Sequence, residues 1–157
     1  MPVRQDVAYP LLNAFGRLEF QLKRRGDYFR ASNGHVVPDV AWRRVETTVR
    51  RMDVDFTMQV PDWARWRLLS ERQTRPMRQQ VVEENGRQVA RFRPNPLDDN
   101  DAVALVQAMR QVRNNLFHGG KEDTEDDPYA EDDYWAEAAT AVALVLLRLA
   151  EGPELAP

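Results

Sequence analysis

The segment from Asp132 to Ala150 most constrains what this chain can fold into. Read at helical spacing, Ala138, Val142, Val145 and Leu149 line one side, and Ala141, Leu144 and Leu147 widen it. So broad an apolar face needs other elements around it and predicts a central or interface helix. Its longest apolar run, Ala141 to Leu147, falls far short of the ~20 residues needed to span a membrane. The 157 residues suffice for one ordinary domain with its own core, and a hydrophobic content of 43% argues against disorder. With no cysteine there is neither a disulfide framework nor a thiolate metal site.

Shorter apolar stripes predict the elements that pack on this helix. Leu11, Phe15, Leu18 and Leu22 mark a first helix from about Pro10 to Arg25, with Gly26 as its left-handed cap. "ASNGH", Ala31 to His35, is a turn signal. A second helix is expected from Pro38–Asp39, carrying Val45, Val49, Met52 and Phe56. Pro61–Asp62 opens a short third helix in which Trp63, Trp66 and Leu69 are expected to face the core. Then the period changes: "QQVVEENGRQVARFR" has two β-prone arms about Asn85–Gly86, a hairpin signal because both residues tolerate positive φ. Its second arm carries Arg87, Arg91 and Arg93. After "PNPLDDND", where Asp98, Asp99 and Asn100 are all able to cap, a fourth helix carries Leu105, Met109, Val112 and Leu116 and ends at Gly119–Gly120. The sum predicts one all-α domain over residues 1–157. It is an up-and-down bundle of four to five helices with a small β-hairpin insertion at about 79–93 and an acidic loop at about 122–133.

Charge is unevenly distributed. Residues 17–93 hold 17 Lys+Arg against 10 Asp+Glu, while residues 94–157 hold 4 against 14. Such asymmetry fits a polyanion-binding surface, and equally a fold in which the two segments mix and their fields cancel. Arginine outnumbers lysine 20 to 2, which suits phosphate recognition and also follows from codon bias.

The stretch "RNNLFHGGK", Arg113 to Lys121, carries the chemistry. An imidazole with a pKa of about 6.5 can take a proton from a hydroxyl or give one to a leaving oxygen. A guanidinium can hold a phosphate by two parallel hydrogen bonds. Together His118 and Arg113 suit metal-free attack of an RNA 2′-hydroxyl on its neighbouring phosphate, with Asn114 positioning an oxygen or the imidazole. Residue types alone fit a solvent-facing histidine at a helix end as well. On a wheel at about 100° per residue, Arg110 and Asn114 share the exposed side with His118, but Arg113 lies roughly 140° from it. A single ideal helix does not bring Arg113 and His118 together. Either the last turn widens toward a π-like geometry, or two copies of the helix meet.

"RNNLFHGGK" resembles the signature of the HEPN superfamily (higher eukaryote and prokaryote nucleotide-binding domains). That signature is an Arg, a polar residue, a few further residues, then His, near the end of a late bundle helix. Arg113, Asn114 and His118 match it one by one, and "FGRLEFQLKRRG" resembles a first HEPN helix. The resemblance covers most of the chain, least so from about Val36 to Arg93. It implies an all-α bundle and a metal-independent endoribonuclease of the toxin–antitoxin or antiphage-defence kind, with Arg113, Asn114 and His118 as catalytic residues. Lys121, Arg110 and Asn115 are the candidate substrate-binding residues. It also implies an RNA substrate, a homodimer with a composite site, and an antitoxin or defence-system partner protein. Some members of the superfamily have lost catalysis and serve as dimerisation or binding modules. No cofactor, metal or membrane association is expected, and the location is expected to be cytoplasmic.

Other residues carry weaker signals. His35 reads as a surface turn residue. Two histidines leave little for a zinc site, and the acids from Glu122 to Asp133 lack the spacing of a calcium loop. That acidic segment should repel RNA, so it swings away, meets a basic partner, or shields the site. Glu19 either pairs with Lys23 one helical turn on or turns toward Arg113 to orient it.

Overall fold

The computed structural model describes residues 3–117 and 132–155. His118, Gly119, Gly120, Lys121 and the acidic segment up to Glu131 lie outside the described residues. In chain order the elements are α1 (Gln5–Arg24), β1 (Phe29–Ser32), β2 (His35–Val40), α2 (Trp42–Met52), α3 (Val54–Thr57), α4 (Asp62–Leu69), β3 (Arg78–Glu84), β4 (Arg87–Arg93), α5 (Asp101–Phe117) and α6 (Asp132–Glu151). The fold is mostly helical but not purely so: among the described residues there are two antiparallel hairpins, not one.

Helix α6 is the centre of the bundle and packs on α1, α5 and α4. Ala138, Val142, Val145, Leu147 and Leu149 are buried as expected, whereas Leu144 is 50% exposed. The inner face is widened instead by Ala136, Ala139, Ala143 and Leu146. These mostly small residues let neighbouring helices approach closely. Helices α1 and α6 run parallel, tied at both ends. The Arg4 backbone N–H donates to the Asp133 carboxylate at 3.0 Å, and the Arg25 guanidinium donates to the carbonyls of Ala150 (3.1 Å) and Gly152 (2.8 Å). Arg25 thereby satisfies carbonyls left without helical partners at the end of α6.

The first two helices start elsewhere than at the expected prolines, whereas Pro61–Asp62 opens α4 as expected. Helix α1 begins at Gln5 and runs through Pro10, because Val7 extends the stripe by one turn and is buried. Pro38 opens no helix; it lies in β2. The strand register jumps from Phe29↔Val40 to Arg30↔Val37, so Pro38 and Asp39 form a bulge where the missing N–H leaves no ladder bond unmade. Asn33 and Gly34, with φ of 51° and 78°, make the turn. The second helix ends at Asp53, which has positive φ, and Phe56 reaches the core from the separate turn α3.

Helix α4 reverses an expectation. Trp63 and Trp66 are 54% and 65% exposed, and Ala64 and Leu68 are the buried pair. The inward stripe is the i, i+4 pair of Ala and Leu, and the indoles occupy the flanks.

The two charge segments mix. Arg17–Glu151, Arg50–Asp98, Arg72–Asp101, Glu46–Arg110 and Glu19–Arg113 all join the basic segment to the acidic one. No described helix is long and apolar enough to cross a membrane.

Candidate functional site

Helix α5 presents the described part of the motif, Arg113 to Phe117. Asn100 caps it, its side-chain oxygen accepting from the Val103 N–H at 3.0 Å, and the Asp98 carboxylate accepts from the Asn100 N–H at 2.8 Å. Leu105, Met109 and Val112 are buried and Leu116 packs at the core edge, which fixes the rotation of the helix. The helix is α-helical to Phe117, with no π-like turn among the described residues.

On the outer side, Arg110, Arg113 and Asn114 line a groove of about 380 Å³. Its other walls are Phe15 and Glu19 of α1, Arg30, Asp39 and Val40 of the first hairpin, and Trp42. The floor is aromatic: Phe15 and Trp42 have ring centroids 5.3 Å apart. Each carries one guanidinium, Arg113 at 4.8 Å over Phe15 and Arg110 at 5.1 Å over Trp42. Stacking of this kind orients the planar guanidinium and leaves its edge for hydrogen bonding.

Carboxylates fix the two arginines further. Glu19 lies 3.6 Å from Arg113 and 3.8 Å from Lys23, so both readings of Glu19 hold at once. Arg113 also donates to the Asn114 side-chain oxygen at 3.1 Å. Arg110 lies 3.8 Å from Glu46. Burial pushes the Glu46 carboxyl above its ordinary range, against the pull of Arg110 and a hydrogen bond from Gln107. Burial likewise lowers the pKa of Arg110, and Glu46 opposes that shift. Desolvation thus outweighs a long ion pair on both sides. Arg110 is a guanidinium and remains a cation at neutral pH.

The groove continues along α5 through two further recesses of about 320 and 260 Å³. Asn114 lines all three, and Arg78 at the base of the second hairpin joins the last two. Asn115 lines the far recess with both ends of its amide engaged. Its oxygen accepts from Gln111 at 2.8 Å and its nitrogen donates to the Met77 carbonyl at 2.9 Å, which holds the hairpin base. Of the residues expected from sequence, Arg110, Arg113 and Asn114 therefore come together and Asn115 adjoins them. His118 and Lys121 lie outside the described residues. Among the described residues, no group of three His, Asp or Glu side chains gathers into a metal-binding cluster.

Sequence reasoning passed over Glu46, Arg30, Asp39 and Arg78 as site residues. The last three stand at hairpin positions, and a hairpin read at 29–40 from Asn33–Gly34 would have flagged Arg30 and Asp39. His35 is exposed beside its turn, as expected. On the α4–α6 side, Arg67 stacks between Trp66 (5.3 Å) and Tyr134 (5.2 Å), with Trp63 nearby, and both tryptophans and Tyr134 are exposed.

Compared with known protein families, with curated proteins and with solved structures, the chain finds no match.

Proposed function

We propose that the protein is a metal-independent endoribonuclease of HEPN type, a bacterial toxin or antiphage-defence component. In this reading Arg113 holds the scissile phosphate and stabilises charge as it develops. His118 moves the proton of the attacking 2′-hydroxyl or of the leaving oxygen, and Asn114 positions one of the reacting groups. The observation that carries the reading is the orientation of Arg113. Glu19 and the Phe15 ring fix its guanidinium beside Asn114 in an open groove, and His118 follows immediately on the last residue of α5. The wheel separation of Arg113 and His118 is resolved by a homodimer whose site takes the arginine from one protomer and the histidine from its partner.

Arg113→Ala or His118→Ala should each abolish RNA cleavage and growth inhibition while the far-ultraviolet circular dichroism stays native. Mixing the two inactive variants should restore part of the activity, because one site of each mixed dimer would then carry an intact pair. Wild-type protein that leaves total cellular RNA intact and is harmless on expression would overturn the catalytic reading.

A second reading, a non-catalytic module that binds an antitoxin or a larger effector, is favoured by the exposed Trp63, Trp66 and Tyr134. Exposed aromatics around an arginine are the composition of partner-binding surfaces. Undiminished partner binding by His118→Ala, with no nuclease activity in the wild type, would select it.

A further inference from the structure

The second hairpin has a property that the first lacks. Its register pairs Arg78↔Arg93, Gln80↔Arg91, Val82↔Val89 and Glu84↔Arg87 on one face, because alternate residues of a strand point the same way. All four arginines of the ribbon therefore share that face, and all four are exposed. Arg91 pairs with Glu84 at 2.7 Å; Arg78, Arg87 and Arg93 have no ion pair among the described residues. Arg78 and Arg93 stand directly opposite each other at the base. Like charges so placed destabilise a ribbon, and a two-stranded ribbon is marginal to begin with. Folding alone gives no reason to collect them there.

The arrangement has a reason if an anion is bound. Arg91 and Arg93 are two residues apart on one strand, about 6.7 Å, a spacing comparable to that of neighbouring phosphates along a nucleic-acid strand. The row then meets Arg78, which shares one recess with Arg110 and Asn114 and a second with Asn114. Cations thus run from the ribbon into the groove. The opposite face bears Gln79, Val81, Glu83, Gln88, Ala90 and Phe92, and the tip is Asn85–Gly86. No apolar residue stands at that tip, so the ribbon offers no wedge there for a lipid surface.

We propose that the β3–β4 ribbon is an RNA-binding arm, in which Arg78, Arg87, Arg91 and Arg93 grip the phosphodiester backbone of a single strand and lead it into the groove at Asn114. The proposal rests on reading that groove as an RNA site. It makes the ribbon the determinant of affinity and reach, and leaves the bond-breaking groups on α5.

The test uses the 157-residue chain carrying His118→Ala, so that RNA is not consumed, and a short fluorescein-labelled single-stranded RNA of mixed sequence. Anisotropy titrations at several salt concentrations compare three forms. These are the His118→Ala parent, Arg87→Gln/Arg91→Gln/Arg93→Gln, and a control with three exposed arginines changed elsewhere, Arg24→Gln/Arg43→Gln/Arg51→Gln. The ribbon variant should lose at least about tenfold in affinity, and its salt slope should fall by about 2, since each lost single-strand phosphate contact removes about 0.7. A Lys triple at the same three ribbon positions should recover most of the slope. The control should match the parent. An unchanged affinity and slope in the ribbon variant would overturn the proposal, as would an equal loss in the control or ribbon-dependent binding to anionic vesicles in preference to RNA. The two readings fail separately. Ribbon-dependent RNA binding by a wild type that cuts nothing keeps the arm and removes the nuclease. His118-dependent cleavage undisturbed by the ribbon triple does the reverse.

Discussion

The two hairpins turn on the same dipeptide with nearly the same backbone, yet one is part of the bundle and the other stands away from it. Asn33–Gly34 and Asn85–Gly86 all have φ between about 50° and 78°. Around the first turn, Val40 is buried and the Ala41 N–H donates to the Tyr28 carbonyl at 2.6 Å. Tyr28 itself is fully buried, its hydroxyl donating to the Leu155 carbonyl and meeting Thr48 at 3.2 Å. Arg30 is matched by Asp39 at 2.8 Å across the same hairpin. The second ribbon buries no residue of either strand and leaves three of its four arginines without an ion pair among the described residues. Turn chemistry specifies that a hairpin forms; the side chains flanking it decide whether it becomes a wall or an arm.

Cavity formation should separate the two most strongly. Tyr28→Ala should cost about 3–5 kcal/mol of global stability, as for other large aromatic truncations, with the Leu155 carbonyl losing its donor as well. Val81→Ala on the ribbon, at an exposed side chain, should cost less than about 1 kcal/mol. Urea denaturation of both variants measures the contrast, and equal losses would mean that the ribbon is as integral as the first hairpin.

A smaller difference is expected at the turns. An alanine forced into the left-handed region costs about 1–2 kcal/mol at either site. In Gly34→Ala that strain should lower the global midpoint. In Gly86→Ala it should leave the midpoint in place and instead speed amide hydrogen exchange across β3 and β4, because the ribbon opens locally.

The smallest effect should lie at Asp98, where the chain returns from the ribbon. The Asn100 N–H and the Arg50 guanidinium, at 2.9 Å, hold its carboxyl below the ordinary 3.8. The folded state therefore ionises at lower pH than the unfolded one. Its contribution is complete above 3.8 and disappears as pH falls through the lower folded value. Asp98→Asn should cost no more than about 1 kcal/mol at neutral pH, since the pair is partly exposed. That gap should close in acid denaturation, and a gap independent of pH would remove the ion pair as its cause.

The long helices were legible because α1, α5 and α6 each repeat their apolar stripe over many turns. Eight residues of α4 offer too few turns to fix a phase, and Trp63 and Trp66 carry a stronger apolar signal than the pair that is buried, Ala64 and Leu68. The first hairpin was hidden by Pro38, a start signal for helices that here fills a bulge. Losing that hairpin also hid Arg30 and Asp39 from the groove. Arg113 and Asn114 were legible as a local motif, and Glu19 through its alternative pairing. The stack of Arg110 on Trp42 and the burial of Glu46 depend on how helices far apart in sequence meet, which no local pattern encodes.

Arg72 gives the ribbon a further consequence. Its carbonyl accepts from the Leu97 N–H at 2.9 Å, and its guanidinium donates to the carbonyls of Asp98 (2.9 Å) and Asp99 (3.4 Å) and to the Asp101 carboxylate at 2.7 Å. The chain thus departs from the bundle and rejoins it at nearly one point, closed by a single arginine. What lies between is an appendage on a clasp. Beyond Met77, Arg78 and Gln79, which adjoin the groove on α5, its length and charge can be exchanged over evolutionary time without repacking a core residue, so reach and grip can be retuned while that groove stays as it is.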